Sequence, residues 1–237
     1  MSKQVAIITG GSNGYGKGVA TYLAKDGGFD VVIVARDKAR LQSVAKEIGA
    51  DSFSADVTKA EDWVALRKYV IGKYGKIDVL INNAGGGVAI KPLVEQTLEQ
   101  IKTSLDLNIL SCILGCHTFV GDMMAAKSGT IINVASVCAK KGWPGFSVYS
   151  AGKGGMLIFT KCLHTELQPY NIRCTTFIPA AGRTDFGKNA GQPENPSPTG
   201  FFPEDAGRAM YDIVKLPSHL IVEEYIMWGM DQAVIPM

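Results

Sequence analysis

The sequence predicts a three-layer α/β fold in which helices cover both faces of a mainly parallel, seven-stranded, doubly wound sheet. Three observations support this. Short apolar runs alternate with longer segments whose apolar residues recur at helical spacing. A glycine-rich turn follows the first apolar run, and polar residues follow several later ones. Neither a repeat nor a linker divides the 237 residues, so a single domain, 1–237, is expected.

Seven segments are predicted to be strands, because each is a short run rich in apolar or β-branched residues. They are Val5–Ile8, Val31–Ala35, Ser52–Ala55, Val79–Ile81, Thr130–Val134, Ile172–Ile178 and Leu220–Trp228. Helical periodicity predicts helices over 15–25, from Leu41 to Ile48, around Trp63–Val70, and over Leu98–Ala126, Val148–Leu167 and Pro203–Lys215. The segment 187–203 is rich in Gly, Pro, Asn and Ser, which predicts a mobile loop beside the substrate.

Composition excludes several classes of protein. The net charge of +2, without clustered Lys or Arg, predicts no nucleic-acid partner. Five cysteines without Cys-x-x-Cys spacing predict neither a disulfide framework nor a metal site, and the pair Cys112 and Cys116 is interpreted as small apolar residues on a buried helix. The chain begins without a signal peptide and contains no apolar run of membrane-spanning length, so a cytoplasmic protein without a membrane partner is expected.

The turn after the first strand is predicted to bind phosphate. It reads Thr9-Gly10-Gly11-Ser12-Asn13-Gly14-Tyr15-Gly16 and opens a helix. Glycines allow a tight turn and close approach of a pyrophosphate, and the N–H groups at the start of a helix attract its charge. The predicted phosphate-binding residues are Gly10, Ser12, Asn13, Gly14, Tyr15 and Gly16.

A tyrosine, a lysine and a serine form the candidate acid/base group. Tyr149 and Lys153 lie four residues apart on a predicted helix, hence on one face. A free phenol has a pKa of about 10, and a neighbouring ammonium group is expected to lower it. Such pairs also occur by chance on helix surfaces. Ser136 favours the catalytic interpretation, because it ends the fifth strand, where ligands of doubly wound folds bind.

These motifs, in this order over about residues 3–185, resemble those of the short-chain dehydrogenase/reductase family. The resemblance includes the Gly-x-x-x-Gly-x-Gly turn, Asn82-Asn83-Ala84-Gly85, Asn108, and the gap of thirteen residues between Ser136 and Tyr149. It implies a Rossmann-type domain that binds a nicotinamide dinucleotide. It also implies that Ser136 orients the substrate oxygen, Tyr149 is the acid/base, Lys153 binds the ribose and Asn108 positions a proton-supplying water.

The same resemblance assigns the remaining cofactor contacts. Asn83, Ala84, Gly85, Asp56 and Val57 are expected beside the nucleotide, although Asp56 could instead be a helix N-cap. The second strand ends in Ala35-Arg36-Asp37. Because Ala35 replaces the acid of NAD-preferring relatives and Arg36 can bind a 2′-phosphate, NADP(H) is favoured over NAD(H). Asp37 leaves NAD(H) open, since a shift of one residue would place its carboxylate near the ribose.

Three positions depart from the family pattern. Tyr15 stands where the family has Ile or Leu, and we interpret it as a packing variant. After the sixth strand the family reads Pro-Gly-x-Val/Ile-x-Thr, whereas this chain has Ala180 and Gly182 at the second and fourth positions. Pro179 and Thr184 remain, and are expected beside the nicotinamide. The altered residues predict a different path for this segment.

A further set of residues is expected to surround the substrate. Cys138, Trp143 and Phe146 lie between Ser136 and Tyr149 and are expected to line an apolar pocket, although Trp143 could instead anchor a turn. Arg183 or Lys140 could meet an acidic substrate; the alternative for Arg183 is a solvated loop residue. The tail from Leu216 resembles that of NADP-dependent 3-hydroxy acid dehydrogenases of the same family.

The sequence therefore favours an NADPH-dependent reductase of small carbonyl compounds. The alternatives are an NAD-dependent secondary-alcohol or 3-hydroxy acid dehydrogenase and, from another class, a non-catalytic dinucleotide sensor or scaffold. The resemblance also implies a homodimer or homotetramer, formed through the Leu98–Ala126 and Val148–Leu167 helices and the C-terminal segment.

Overall fold

Seven parallel strands form the centre of the molecule, in the order β3-β2-β1-β4-β5-β6-β7. The computed structural model describes residues 2–190 and 199–232. The strands are β1 (Val5–Thr9), β2 (Asp30–Ala35), β3 (Asp51–Ser54), β4 (Val79–Asn82), β5 (Gly129–Val134), β6 (Ile172–Pro179) and β7 (Glu224–Met227). The strand order reverses between β1 and β4, which creates a crevice at the carboxyl ends of these strands. The predicted doubly wound sheet is confirmed, and all six strand pairings are parallel.

Helices cover both faces of this sheet. They are α1 (Gly14–Lys25), α2 (Lys38–Ile48), α3 (Ala60–Tyr74), α4 (Leu98–Leu105), α5 (Ser111–Ala126), α6 (Ser147–Leu167), α7 (Phe186–Asn189) and α8 (Pro203–Lys215). One layer contains α1, which packs against α2 and α8; the other contains α5, which packs against α3 and α6. Apolar strand side chains pack between the layers: β1 is buried along its whole length.

Most predicted elements differ from the structure by a few residues at their ends, and four differences are more informative. β3 is shifted one residue towards the N-terminus, and β7 is confined to Glu224–Met227 instead of the whole of Leu220–Trp228. The predicted long helix contains a π-helical turn at Asp106–Leu110, between α4 and α5. The short helix α7 falls partly within the predicted 187–203 loop, and residues 191–198 of that loop lie outside the described residues.

The prediction that no apolar run is long enough to span a membrane is wrong, because the helical stretch Leu98–Ala126 has the required length and composition. It contains 29 residues, and an 18-residue segment within it has a mean hydropathy of 1.5; among the described residues it alone meets the length and composition of a membrane span. Its α5 half packs against β4 and β5 as well as α3 and α6. Because a helix that packs on a central sheet is also apolar, these contacts favour the interpretation as a helix of the core layers.

Candidate active site

The glycine-rich turn lies at the carboxyl end of β1 and leads directly into α1. Gly10 has φ +66°, a conformation that side chains disfavour, so the turn requires glycine there. A Cβ built on Gly16 would lie 2.5 Å from Asn83 Nδ2, so no larger residue fits without movement. Asn13 caps α1, with its Oδ1 accepting a hydrogen bond of 2.8 Å from Gly14 N. The turn therefore has the geometry that a pyrophosphate requires at a helix N-terminus.

Residues at the end of β4 hold this turn in place. The hydroxyl of Thr9 accepts hydrogen bonds from the N–H groups of Asn83 and Ala84, both at 3.0 Å. Asn83 Nδ2 in turn donates to Thr9 O at 2.9 Å. No motif in the sequence marks Thr9 as part of the site; its position as the last residue of β1, directly before the glycines, is the one available signal.

The end of β2 presents one basic and one acidic side chain with different environments. Arg36 is exposed at the carboxyl end of the strand. Asp37 is the N-cap of α2: it accepts a 3.0 Å hydrogen bond from Arg40 N and lies 3.7 Å from the Arg40 guanidinium. The carboxylate of Asp37 is therefore engaged by its own helix, whereas the Arg36 side chain is exposed to solvent.

Asp56 and Val57 lie one strand further along, after β3. Asp56 accepts hydrogen bonds from the backbone and hydroxyl of Thr58, and the N-cap of α3 is Lys59, so Asp56 is not the helix cap. Burial raises the pKa of Asp56, but the Thr58 hydrogen bonds and the charge of Arg36 outweigh it and leave that pKa below its usual value. Val57 is buried and its carbonyl accepts the indole N–H of Trp63.

Ser136 and Tyr149 meet at the carboxyl end of β5. Ser136 directly follows Ala135 after the strand, and its hydroxyl accepts a 3.2 Å hydrogen bond from Cys138 N. Its side chain also faces the Tyr149 phenol. Burial raises the pKa of Tyr149 well above its usual value, and the polar influence of Ser136 offsets only part of that rise. The phenol is thus held protonated beside a hydroxyl that could bind the same substrate oxygen.

Lys153 lies one helical turn after Tyr149 on α6, and only 2% of the lysine is exposed. Its Nζ donates a 2.7 Å hydrogen bond to Val134 O and lies 5.9 Å from the centre of the Tyr149 ring. Burial lowers the pKa of Lys153 to about 8. The expected lowering of the tyrosine pKa by this ammonium group is not found in this structure, because the amine is directed at the Val134 carbonyl and burial of the phenol dominates.

Asn108 lies in the π-helical turn and is completely buried. Its side chain accepts from Gly86 N at 3.0 Å and donates to Gly86 O and Ser104 O, both at 2.9 Å. A Cβ on Gly85 would lie 2.9 Å from Lys153 Nζ and 3.1 Å from Asn108 Oδ1. The loop after β4 therefore passes between the lysine and the asparagine, and π-helical turns of this kind are frequent at functional sites.

Two aromatic side chains cover the phenol of Tyr149. Phe186 lies edge-on at 5.4 Å between ring centres, and Phe146 lies edge-on at 6.2 Å. Phe146 was expected near the pocket, but no pattern in the sequence marked Phe186, the first residue of α7. Trp143 forms a turn in which its carbonyl accepts the N–H of Phe146, as the alternative interpretation expected. Cys138 is half-buried beside Ser136.

The two basic residues considered for an acidic substrate both have protein partners. Lys140 forms a 2.6 Å ion pair with Glu224 of β7, a carboxylate that also pairs with Lys161 at 2.7 Å. Arg183 is exposed, and its guanidinium stacks on the Phe202 ring at 4.5 Å.

The segment after β6 returns to the phosphate-binding turn. Pro179 pairs with Met227 at the end of the β6–β7 ladder. A Cβ built on Gly14 would lie 3.5 Å from Thr184 Cγ2, and Asn13 Nδ2 donates a 2.6 Å hydrogen bond to Asp185. The structure therefore brings Pro179–Thr184 between the turn and Tyr149, in spite of the altered motif.

The cysteines add no separate site. Cys112, Cys116 and Cys174 are buried, and a hydrogen bond with Cys112 together with burial raises the pKa of Cys116 well above its usual value. Such protonated thiols are poor metal ligands. Over residues 2–190 and 199–232, no three His, Cys, Asp or Glu side chains are grouped in a way that could hold a metal ion.

Comparison with known proteins identifies the family. A model of the short chain dehydrogenase family matches residues 4–195. Carbonyl reductase family member 4 of Xenopus laevis is 35% identical over 187 residues, which cover 78% of each chain. The solved structure of an alcohol dehydrogenase from Thermococcus sibiricus, complexed with 5-hydroxy-NADP, superposes with a TM-score of 0.88 at 28% identity, over 98% of this chain and 99% of the other. A 3-ketoacyl-(acyl-carrier-protein) reductase from Brucella melitensis, complexed with NADH, gives a TM-score of 0.87 at 30% identity, over 96% and 97%.

The chain belongs to the short-chain dehydrogenase/reductase family, as its motifs predicted. It is accordingly an oxidoreductase of the class that acts on CH–OH and C=O groups with a nicotinamide dinucleotide. Structures of its relatives hold NADP as well as NADH, so family membership leaves the choice between the two dinucleotides open.

Proposed function

We propose that this protein is an NADP(H)-dependent reductase of a small carbonyl compound, which also runs in reverse as an alcohol dehydrogenase. One observation carries the proposal: the Ser136 side chain, the Tyr149 phenol and the Lys153 amine come together at the carboxyl end of β5, in the same crevice as the glycine-rich turn. A carbonyl oxygen that lay between the serine and the tyrosine would accept from both hydroxyls at once. That is the arrangement needed to protonate the oxygen as it becomes an alkoxide.

Each polar residue has a separate task in this scheme. Ser136 orients the substrate oxygen, and Tyr149 delivers its proton in reduction or removes one in oxidation. Lys153 binds a ribose hydroxyl and helps to return a proton to Tyr149, which its low pKa permits. Asn108 holds the Gly85–Gly86 loop and positions a water for proton supply. A bound nicotinamide would supply or accept the hydride.

The residues around the crevice fit a dinucleotide. Glycine at positions 10 and 16 lets the turn pack directly against Asn83 and Ala84, and the turn opens α1, whose first N–H groups can bind a pyrophosphate. Arg36 is exposed at the end of β2, while Asp37 is committed to capping α2. A 2′-phosphate would therefore meet a cation, whereas the carboxylate needed for a free 2′-OH is engaged elsewhere. This supports NADP(H) over NAD(H).

The first experiment is a panel of ketones, aldehydes and oxo-acids with NADPH and with NADH, followed by the absorbance of the reduced cofactor. We expect turnover of at least one small carbonyl compound, with NADPH saturating at lower concentration. Arg36→Ala should raise the KM for NADPH about tenfold and leave that for NADH nearly unchanged. Lys68→Ala, at an exposed lysine further along α3, is the control. Equal effects of Arg36→Ala on both cofactors would contradict the proposed role.

A single substitution distinguishes the proposed enzyme from a non-catalytic dinucleotide sensor or scaffold. Tyr149→Phe should abolish turnover, by at least about a hundredfold, because the phenyl ring cannot donate a proton. Cofactor affinity should change little, since Phe keeps the ring contacts with Phe146 and Phe186. Turnover retained by this variant would refute the assigned role. Dinucleotide binding by the unaltered chain without turnover of any substrate in the panel would favour a sensor or scaffold.

Oligomerisation and location complete the proposal. The helices predicted for a subunit interface expose apolar residues: Leu98 and Leu110 along α4 and the π-helical turn, and Ile158 on α6. We propose a homodimer or homotetramer built on this surface, which light scattering would test. Five free cysteines, three of them buried as thiols, support a reducing, cytoplasmic setting.

A further inference from the structure

Two departures from the family pattern, Tyr15 and Gly182, are in direct contact. A Cβ built on Gly182 would lie 2.7 Å from Tyr15 Cε1, deep within the tyrosine ring's van der Waals envelope. Gly182 does not have positive φ, so its backbone conformation does not demand glycine. Glycine is needed at position 182 because the Tyr15 phenol fills the space that a side chain there would occupy.

A hydrogen bond attaches the same phenol to the segment after β6. The Tyr15 hydroxyl donates to Ala180 O at 3.3 Å, and the phenol also lies against the Gly182 backbone. Its ring stacks on Phe201, with ring centres 5.6 Å apart at an interplanar angle of 26°. Phe201 is itself the β-bridge partner of Gly182, and its carbonyl accepts the N–H of Arg183. One side chain of the phosphate-binding turn thus holds residues 180–183 from both sides.

These residues span the gap between the two ends of the cofactor crevice. Thr184 lies against Gly14 at the phosphate-binding turn, and Phe186 lies against Tyr149. The reactive ring of a dinucleotide must lie between the phosphates and the acid/base residue. The peptide held by Tyr15 is therefore a wall of the place where that ring would lie.

We propose that Tyr15 is a positioning residue for the nicotinamide half of the cofactor and that it acts by setting the path of Ala180–Thr184. Tyr15 can do this only because residue 182 is a glycine, which leaves room for the phenol. The inference rests on the proposed function and goes further, because it assigns a role to a residue pair that the family pattern does not contain. The two positions should consequently behave as one unit: each substitution alone is harmful, and the pair exchanged together is tolerated.

The test is a double-mutant cycle with Tyr15→Ile, Gly182→Val and the combined variant. Affinity is measured by fluorescence titration for the reduced dinucleotide that the unaltered chain prefers, and for the matching fragment without nicotinamide, 2′-phospho-ADP-ribose or ADP-ribose. Gly182→Val alone should weaken binding of the dinucleotide about tenfold or more, because it overpacks the contact. Binding of the fragment should change less than about threefold. The combined variant should recover dinucleotide affinity to within about threefold of the unaltered chain.

Controls keep the result interpretable. Gly142→Val, at an exposed glycine with open space around it, should leave both affinities unchanged. If Gly182→Val does not fold, Gly182→Ala replaces it, since a single methyl group already meets the tyrosine ring.

Two results would overturn the inference. One is that Gly182→Val weakens dinucleotide binding by the same factor in the unaltered chain and in the Tyr15→Ile variant. The other is equal loss of affinity for the dinucleotide and the fragment. If the unaltered chain binds neither NADPH nor NADH, the proposed function fails and this inference fails with it; additive effects in a chain that does bind overturn the inference alone.

Discussion

Replacing Lys153 with Met should change how the stability of the protein depends on pH. Burial lowers the pKa of this lysine from 10.5 to about 8, so the folded state binds its proton more weakly than the unfolded state does. Between these two values the unfolded chain carries more protons, and stability therefore rises with pH. From pH 7 to pH 10 this single group contributes a rise of about 2.5 kcal/mol in the free energy of unfolding.

Met removes the titration but keeps most of the side-chain volume. It also removes the donor to Val134 O, which costs about 1–3 kcal/mol and depends little on pH. The informative quantity is thus the stability difference between the two proteins as a function of pH, measured by urea denaturation without added nucleotide. We expect the difference to shift in favour of the unaltered chain by about 2–3 kcal/mol between pH 7 and pH 10.

An exposed lysine provides the control. Lys68→Met, on α3, should give a stability difference that stays constant across the same pH range. If the Lys153→Met difference is also constant to within about 0.5 kcal/mol, the buried amine does not have a lowered pKa in the fold, and the argument from burial is wrong.

Three further predictions concern the scaffold. Thr9→Val removes the acceptor of two backbone N–H groups and should cost about 2 kcal/mol by urea denaturation; a loss under about 0.5 kcal/mol would contradict the bracing role. Gly16→Ala should weaken dinucleotide binding at least about tenfold in a titration, because a methyl group at this position would collide with the phosphate-binding turn. The control is Gly72→Ala, at a helical glycine with open space around it, which should leave the affinity unchanged. Equal affinities of the two variants would show that the turn does not require glycine at position 16. Arg173→Met removes donors to Val214 O and Leu216 O at the end of α8 and should cost about 2 kcal/mol; unchanged thermal unfolding would contradict this.

Much of the fold follows from local patterns in the sequence. The buried strands β1, β4 and β5 each have an apolar centre, and their alternation with amphipathic helices leaves few arrangements besides a parallel sheet with helices on both faces. The less apolar elements were predicted less well. Asp51-Ser52-Phe53-Ser54 has no apolar run, so the limits of β3 depend on pairing with β2.

The site residues that belong to motifs at strand ends could be predicted from the sequence. Ser136 and Asn83 each follow a strand, and parallel strands bring their carboxyl ends to one edge of the sheet. Tyr149 and Lys153 share a helical face by spacing alone. Helix propensities do not reveal the π-helical turn that contains Asn108, because its stability depends on the hydrogen bonds that this side chain makes with Gly86.

The sequence by itself determined the order of the elements, the glycine-rich turn and the chemical identity of the proposed acid/base pair. The tertiary structure decided how these groups are solvated and what they contact across the fold. It buries Tyr149 under Phe186, directs Lys153 to a carbonyl, and places Tyr15 against Gly182, far along the chain. The physical reason is that pKa values and packing depend on neighbours distant in sequence, which only the folded chain brings within a few ångströms.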